Sequence, residues 1–260
     1  TTLFRSQAAK QVIMQKIREA GREAIYNKFA DYQDEIITGE VDRQDSRFLY
    51  MTLPGNQEAA MAPNDQMPNE HYRMGDRIKV LVNKVENNAK GPQIFVSRTA
   101  PDLVKRLFEQ EVPEVYDGTV EIMSISREAG DRSKIAVYTH DPDLDPVGAM
   151  VGQRGGRVQS VVNELGGENM DIVEWVEDEA QYIANALNPS EVTDVIFDSE
   201  NERAVTVIVP DNQLSLAIGK KGQNARLAAR LTGFKIDIKS ETEAAKDLGN
   251  QTVSSVEEND

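Results

Sequence analysis

Val151-Gly152-Gln153-Arg154-Gly155 and Ile218-Gly219-Lys220-Lys221-Gly222 are two copies of one pattern, and their reading decides the fold. The first glycines lie 67 positions apart (219 − 152). A short basic helix follows each copy, carrying Arg157, Val158, Val161 and Val162 in one and Arg226, Leu227 and Ala228 in the other. Each stretch then reaches an Asp-Ile pair, Asp171-Ile172 and Asp237-Ile238, 66 positions apart (237 − 171). One G-x-x-G occurs widely by chance, but two copies of a whole helix–loop–helix–strand pattern do not.

The spacing has a physical reason. A two-residue link between helices forces backbone angles that glycine adopts without steric penalty. Glycines also let a nucleic-acid backbone lie directly on the loop, where the following helix points its N-terminal N–H groups at an anion. Gln153, Arg154, Lys220 and Lys221 then face outward to meet phosphates, and the adjoining helix and strand form an apolar groove for unstacked bases. That is the KH mode of holding about four nucleotides of single strand. A bare helix-hairpin turn accounts for the glycines but not for the paired basic residues between them.

The charge distribution supports this reading. Net charge is −15, which taken alone argues against a nucleic-acid partner. Yet residues 212–236 carry Lys220, Lys221, Arg226, Arg230 and Lys235 with no acid, and residues 146–163 carry Arg154 and Arg157 with none. In a chain with 44 acids, two cleared windows fit a face that accepts an anion. The candidate RNA-binding residues are therefore Gly152, Gln153, Arg154, Gly155, Arg157, Gly219, Lys220, Lys221, Gly222, Arg226, Arg230 and Lys235.

Outward from the loops, two αββααβ-like stretches are expected. The first places a helix at 102–111, strands at 119–126 and 134–139, helices at 146–151 and 157–165, and a strand at 170–174. The second places a helix at 177–187, strands at 192–197 and 204–209, helices at 213–218 and 224–231, and a strand at 235–238. Upstream, residues 34–100 alternate short runs with turn signals such as Pro54-Gly55-Asn56, which suggests a small barrel of the OB type. Period-2 alternation sets Phe48, Tyr50 and Thr52 against Leu49, Met51 and Leu53. Exposed strand aromatics on such a barrel stack bases, so Phe48 and Tyr50 join the candidates. They could equally line the core, since alternation alone does not say which face points inward. Residues 9–30 read as an amphipathic helix with Ile13, Ile17, Ala20 and Ala24 on one face, packed against a domain upstream of the chain. The opening Thr1-Thr2, without an initiator Met, reads as the start of an excised piece. The polar, acidic stretch from Ser240 to Asp260 reads as disordered.

Other chemistry finds little support. With no Cys and two His, disulfides, thiol nucleophiles and Cys/His zinc sites are excluded, which fits a reducing compartment, the cytoplasm. Asp141, Asp143 and Asp145 imitate a calcium loop, but Pro146 stands where Gly is needed and Gly152 where Glu is needed. His71 and His140 lie far apart, Trp175 reads as packing, and neither loop fits a phosphate-binding P-loop. No apolar run reaches the about 20 residues that span a bilayer. No catalytic residue, metal or cofactor is expected.

With Asp145-Pro146-Val147-Gly148-Ala149-Met150 leading into the first loop, and Leu216-Ala217 through Gln223-Asn224-Ala225-Arg226-Leu227-Ala228 around the second, the chain resembles the NusA family of bacterial transcription factors over roughly residues 5–240. The resemblance implies a multidomain α+β chain. Its parts would be the last helix of a polymerase-binding domain (1–33), a barrel of the ribosomal S-one type (34–100), two tandem type II KH domains (101–176 and 177–240) packed as one elongated RNA-binding unit, and an acidic tail (241–260). It implies binding of single-stranded nascent RNA and a role in pausing, termination and antitermination on RNA polymerase. The polymerase contact is expected to be weakened here, since only one helix of the polymerase-binding domain is present. The chain is expected to act as a monomer, away from membranes, and not as an enzyme. The competing reading is an RNA-binding accessory region of an RNA-processing enzyme such as an exoribonuclease.

Overall fold

The computed structural model describes residues 2–88 and 91–247, and the chain divides into two compact units, Thr1–Leu107 and Phe108–Asp260. In the first, helix α1 (Thr2–Ala30) starts earlier than its amphipathic pattern and brings only its last turns onto the barrel, where Phe29 is buried in the core. Val12, Ile13, Met14 and Ile17 are exposed. Strands β1 (Ile36–Gln44), β2 (Leu49–Leu53), β3 (Gln57–Met61), β4 (Arg77–Asn88) and β5 (Gly91–Ser97) close a barrel in the order β1-β2-β3-β5-β4. Leu49, Met51 and Leu53 point inward, with Met61, Val80, Val82 and Val96 around them. The alternation therefore leaves Tyr50 and Thr52 on the outer face. Arg98 is buried after β5, where it pairs with Glu70 and donates to the Lys79 carbonyl at 2.8 Å.

Helix α2 (Pro101–Glu111) and the one-turn α3 (Pro113–Tyr116) lead into the second unit. There β6 (Val120–Glu128) and β7 (Arg132–Thr139) form a hairpin, and α4 (Pro146–Val151), α5 (Gly156–Glu164) and β8 (Asn169–Glu174) follow. β8 returns parallel to β7, so the sheet order is β6-β7-β8. The pattern then repeats as α6 (Glu179–Ala186), β9 (Asp194–Phe197), β10 (Ala204–Val209), α7 (Leu214–Ile218), α8 (Gln223–Thr232) and β11 (Lys235–Ser240), with sheet order β11-β10-β9. Local chemistry sets the ends. Pro113 and Pro146 open α3 and α4, where a missing N–H costs nothing. Asp178 caps α6 by accepting from the Gln181 N–H at 3.1 Å.

β7 departs from alternation: Ser133 through Val137 are all buried. One face of its sheet meets its own module's helices, and α8 of the second module packs against β6 and β7. Ala136 and Val173 accordingly share one apolar cluster with Tyr182, Ile183, Val205, Val207, Ala228 and Leu231. Lys134 is drawn fully inside. Its ammonium donates to Asp171 Oδ2 at 3.1 Å and to the Asn188 carbonyl at 2.8 Å, and burial pushes its pKa down. On the other side of the β6–β7 hairpin, Glu168 accepts from Arg127 Nε (2.9 Å) and Nη2 (2.8 Å), Gly130 N–H (2.9 Å) and Ser133 Oγ (2.7 Å), with both charges out of solvent.

Residues 241–247 are helical, against the expected disorder from Ser240 onward. Ser240 Oγ accepts from the Glu243 N–H at 3.2 Å, and Glu243 returns a carboxylate to the Ser240 N–H at 3.1 Å. This reciprocal capping box nucleates the turn. The rest of the expected tail, 248–260, lies outside the described residues.

Candidate nucleic-acid interface

The two glycine loops have the same backbone. Gly152 sits at φ 73°, ψ 176° and Gly219 at 77°, 170°. Arg154 and Lys221 sit at 53°, 28° and 53°, 30°, and Gly155 and Gly222 at 75°, 14° and 72°, 18°. Each loop closes on a bond from the second glycine's N–H to the first glycine's carbonyl, at 3.1 and 3.0 Å. The first, third and fourth positions of the loop thus repeat to within about six degrees. The sequence pattern led to left-handed glycines but not to left-handed Arg154 and Lys221. A non-glycine residue there is strained by about 1–3 kcal/mol, and such strain clusters at functional sites.

Gln153, Arg154, Lys220 and Lys221 are exposed, as expected. The ion pairs found among the described residues do not include Arg154, Lys220, Lys221 or Lys235. Lys235 is exposed at the start of β11. Beside the second loop, Leu216 and Ile218 are exposed on α7, and Ile236 and Ile238 are half-buried on β11. Apolar side chains open to solvent thus lie beside cations outside those ion pairs. At the first loop, Gly148, Gly152 and Gly156 line a cleft of about 550 Å³ with Gln153, Arg157 and Glu111.

Three other candidates are engaged elsewhere. Arg157 Nη1 donates to Glu114 on α3 at 2.9 Å and to the Ala149 carbonyl at 2.8 Å. Arg226 Nε and Arg230 Nη2 both reach Glu128 Oε1, at 2.7 and 2.6 Å, and Gln223 Nε2 reaches Glu128 Oε2 at 2.9 Å. The Arg226 guanidinium, with help from Gln223 and Arg230, holds the Glu128 carboxyl at about 2. Expected on the RNA face, these three arginines also have carboxylate partners on α3 and β6, and the Arg226 and Arg230 side chains stay half exposed. Asn224, five residues after Gly219 as Arg157 is after Gly152, does what Arg157 does. It donates to the Ala217 and Leu187 carbonyls, both at 3.0 Å. A donor five residues past the first glycine ties the second helix to the end of the first.

On the barrel, Phe48 and Tyr50 lie half-buried on the outer face and do not line the core. Their rings are 6.0 Å apart, and Phe95, which the sequence analysis did not single out, lies 6.2 Å from Phe48. The three line a groove of about 320 Å³. The Arg43 guanidinium sits 4.0 Å over the Tyr50 ring.

Barrel, paired helix–loop–helix modules and open cationic loops define the class: a tandem KH protein joined to an OB-like barrel. The family of NusA-like first KH domains matches residues 98–175, and that of NusA-like second KH domains matches 179–246. The chain belongs to the NusA family. It is 62% identical over 244 residues to the transcription termination/antitermination protein NusA of Bacillus subtilis (strain 168), covering 94% of this chain and 65% of that protein. To the protein of the same name from Thermus thermophilus it is 44% identical over 230 residues, covering 88% and 59%. To that of Mycobacterium tuberculosis it is 45% identical over 240 residues, covering 90% and 69%. The chain thus spans roughly two thirds of the relatives it matches. The family assignment does not favour the accessory region of an RNA-processing enzyme. Among the described residues, no helix is long and apolar enough to cross a membrane, and no cluster of His, Asp and Glu could hold a metal ion.

Proposed function

We propose that the chain binds single-stranded RNA in the cytoplasm as the RNA-gripping part of a factor that modulates pausing, termination and antitermination on RNA polymerase. One observation carries this: two loops of identical backbone present unpaired Arg154, Lys220 and Lys221 from a chain of net charge −15. Gly152, Gln153, Arg154 and Gly155 take one stretch of backbone, and Gly219, Lys220, Lys221, Gly222 and Lys235 take another. Arg157, Arg226 and Arg230 add their charge to the RNA face, and Arg157 and Arg226 also hold the loops. Phe48, Tyr50 and Phe95 stack bases on the barrel. The chain acts as a monomer, catalyses no reaction, and is divided as its sequence suggests at 33/34, 100/101, 176/177 and 240/241.

The test replaces Gln153 and Arg154 by Asp, and Lys220 and Lys221 by Asp, leaving all four glycines. Each pair puts two carboxylates where phosphate lies. Affinity for labelled single-stranded RNA should fall while circular dichroism stays unchanged. The loss should be greater on a long RNA, which engages both loops and gains effective concentration from the first contact. Unchanged affinity in a folded variant carrying all four changes rejects the loops as the RNA site.

A further inference from the structure

We infer that Glu128, a residue of the first module's β6, is a positioning residue for the second module's glycine loop. The inference rests on the RNA-binding reading above and adds a dependence between the modules.

Three donors on one stripe of α8, Gln223, Arg226 and Arg230, converge on the Glu128 carboxylate. Gln223 also reaches Asp131 Oδ2 at 2.7 Å, across the same hairpin. Arg226 is the link to the loop. While its Nε is held by Glu128, its Nη1 donates to the Lys221 carbonyl at 3.1 Å. Lys221 is the left-handed residue whose side chain is offered to phosphate. One guanidinium therefore joins a carboxylate of the first module to the strained peptide of the second. Toward the other end of α8, Ser124 Oγ donates to the Leu231 carbonyl at 3.0 Å. Ser124 and Glu128 lie four residues apart on β6, on one face of the strand, so β6 fixes α8 near both ends.

The first loop is built differently. Its arginine, Arg157, is held by Glu114 on α3, which lies within the first module's own stretch of chain. The first loop is thus held from within its module, and the second from its neighbour.

Simple electrostatics and this inference predict opposite signs. Removing a carboxylate beside two arginines should strengthen anion binding if Glu128 only offsets their charge. If it positions the loop, removal should weaken binding. The whole 260-residue chain is titrated with a fluorescein-labelled single-stranded RNA of randomised sequence at fixed salt, as wild type, Glu128→Ala, Arg226→Lys, and the Lys220→Asp/Lys221→Asp pair. Hydrogen exchange is followed at the Gly222 N–H, which closes the loop. Glu128→Ala should bind about tenfold more weakly, the equivalent of one charge-assisted hydrogen bond, with faster exchange at Gly222. Arg226→Lys keeps the charge but loses the fork that reaches both partners, so it should shift affinity and exchange in the same direction. It decides the matter if Glu128→Ala does not fold. Affinity equal to or tighter than wild type, or weaker affinity with unchanged Gly222 exchange, overturns the inference. If the Lys220→Asp/Lys221→Asp pair binds like wild type, the RNA reading is what fails, and Gly222 exchange in Glu128→Ala still decides whether Glu128 positions the loop.

Discussion

Replacing each loop glycine by alanine should separate two costs that the sequence treats as one. At Gly222 the backbone is left-handed helical and a new Cβ meets only Arg226 Nη1 at 4.0 Å. Alanine there bears the left-handed cost alone, about 1–2 kcal/mol. At Gly219 the same positive φ comes with ψ 170°, a region open almost only to glycine, and the new Cβ would lie 2.8 Å from the Asn224 backbone nitrogen. Strain of about 1–3 kcal/mol and a packing conflict of similar size then add, to about 4 kcal/mol. Gly152 should fall between: its Cβ would meet Arg157 Cγ at 2.7 Å, a side chain that can swing aside but at the expense of its bond to Glu114. Gly155, with open space, should match Gly222. Urea unfolding of the four variants, compared through midpoints at a common slope, gives the order directly. A Gly219→Ala cost within about 1 kcal/mol of Gly222→Ala would refute the argument that the close approach, rather than φ alone, selects the first glycine.

Glu128, held at about 2 when folded against roughly 4.3 when unfolded, stabilises fully above the unfolded value, and this is lost as pH falls toward 2. The stability gap between wild type and Glu128→Gln should therefore be open at neutral pH and close on acidification through that window, as read by urea midpoints. Glu168→Ala removes the buried carboxylate that Arg127 pairs with and should cost about 3–5 kcal/mol in the same assay, whereas a loss under 1 kcal/mol would mean that other groups or water compensate the guanidinium. RNA affinity should fall with salt with a log–log slope of about −0.7 per phosphate contacted, and Lys220→Ala/Lys221→Ala should flatten it by about two such contacts. Phe48→Ala with Phe95→Ala should weaken RNA binding by about 1–3 kcal/mol per base unstacked without altering that slope.

The repeat was legible because its chemistry is local. Glycine pairs, the flanking apolar period and the cleared acids all sit within a few residues, and α4 occupies the expected 146–151. What escaped the sequence is carried by distant partners or weak propensity. β3, Gln-Glu-Ala-Ala-Met, lacks β-branched and aromatic residues and is a strand only because β2 and β5 flank it. The ion pair of Arg226 was not legible because Glu128 stands 98 positions away. Lys134 gives no sign in sequence that α8 will cover its face of the sheet. The helix at 241–247 did carry a local signal, Ser240-Glu241-Thr242-Glu243, hidden by the acidic composition around it.

The burial of β7 on both faces has a consequence for how such a pair can change over evolutionary time. Between the end of β8 at Glu174 and the start of α6 at Glu179, Trp175 and Val176 pack on the shared cluster, with Trp175 on Tyr182 at 6.3 Å ring to ring, and only Glu177 and Asp178 are exposed. Residues inserted at Trp175 or Val176 would displace side chains that pack on the cluster joining Tyr182 and Ile183 to Ala136 and Val173, whereas Glu177 and Asp178 leave room for an insertion. The two copies share one core, so neither can be moved without repacking the other. Selection acting on one glycine loop is thereby constrained by the geometry of the other.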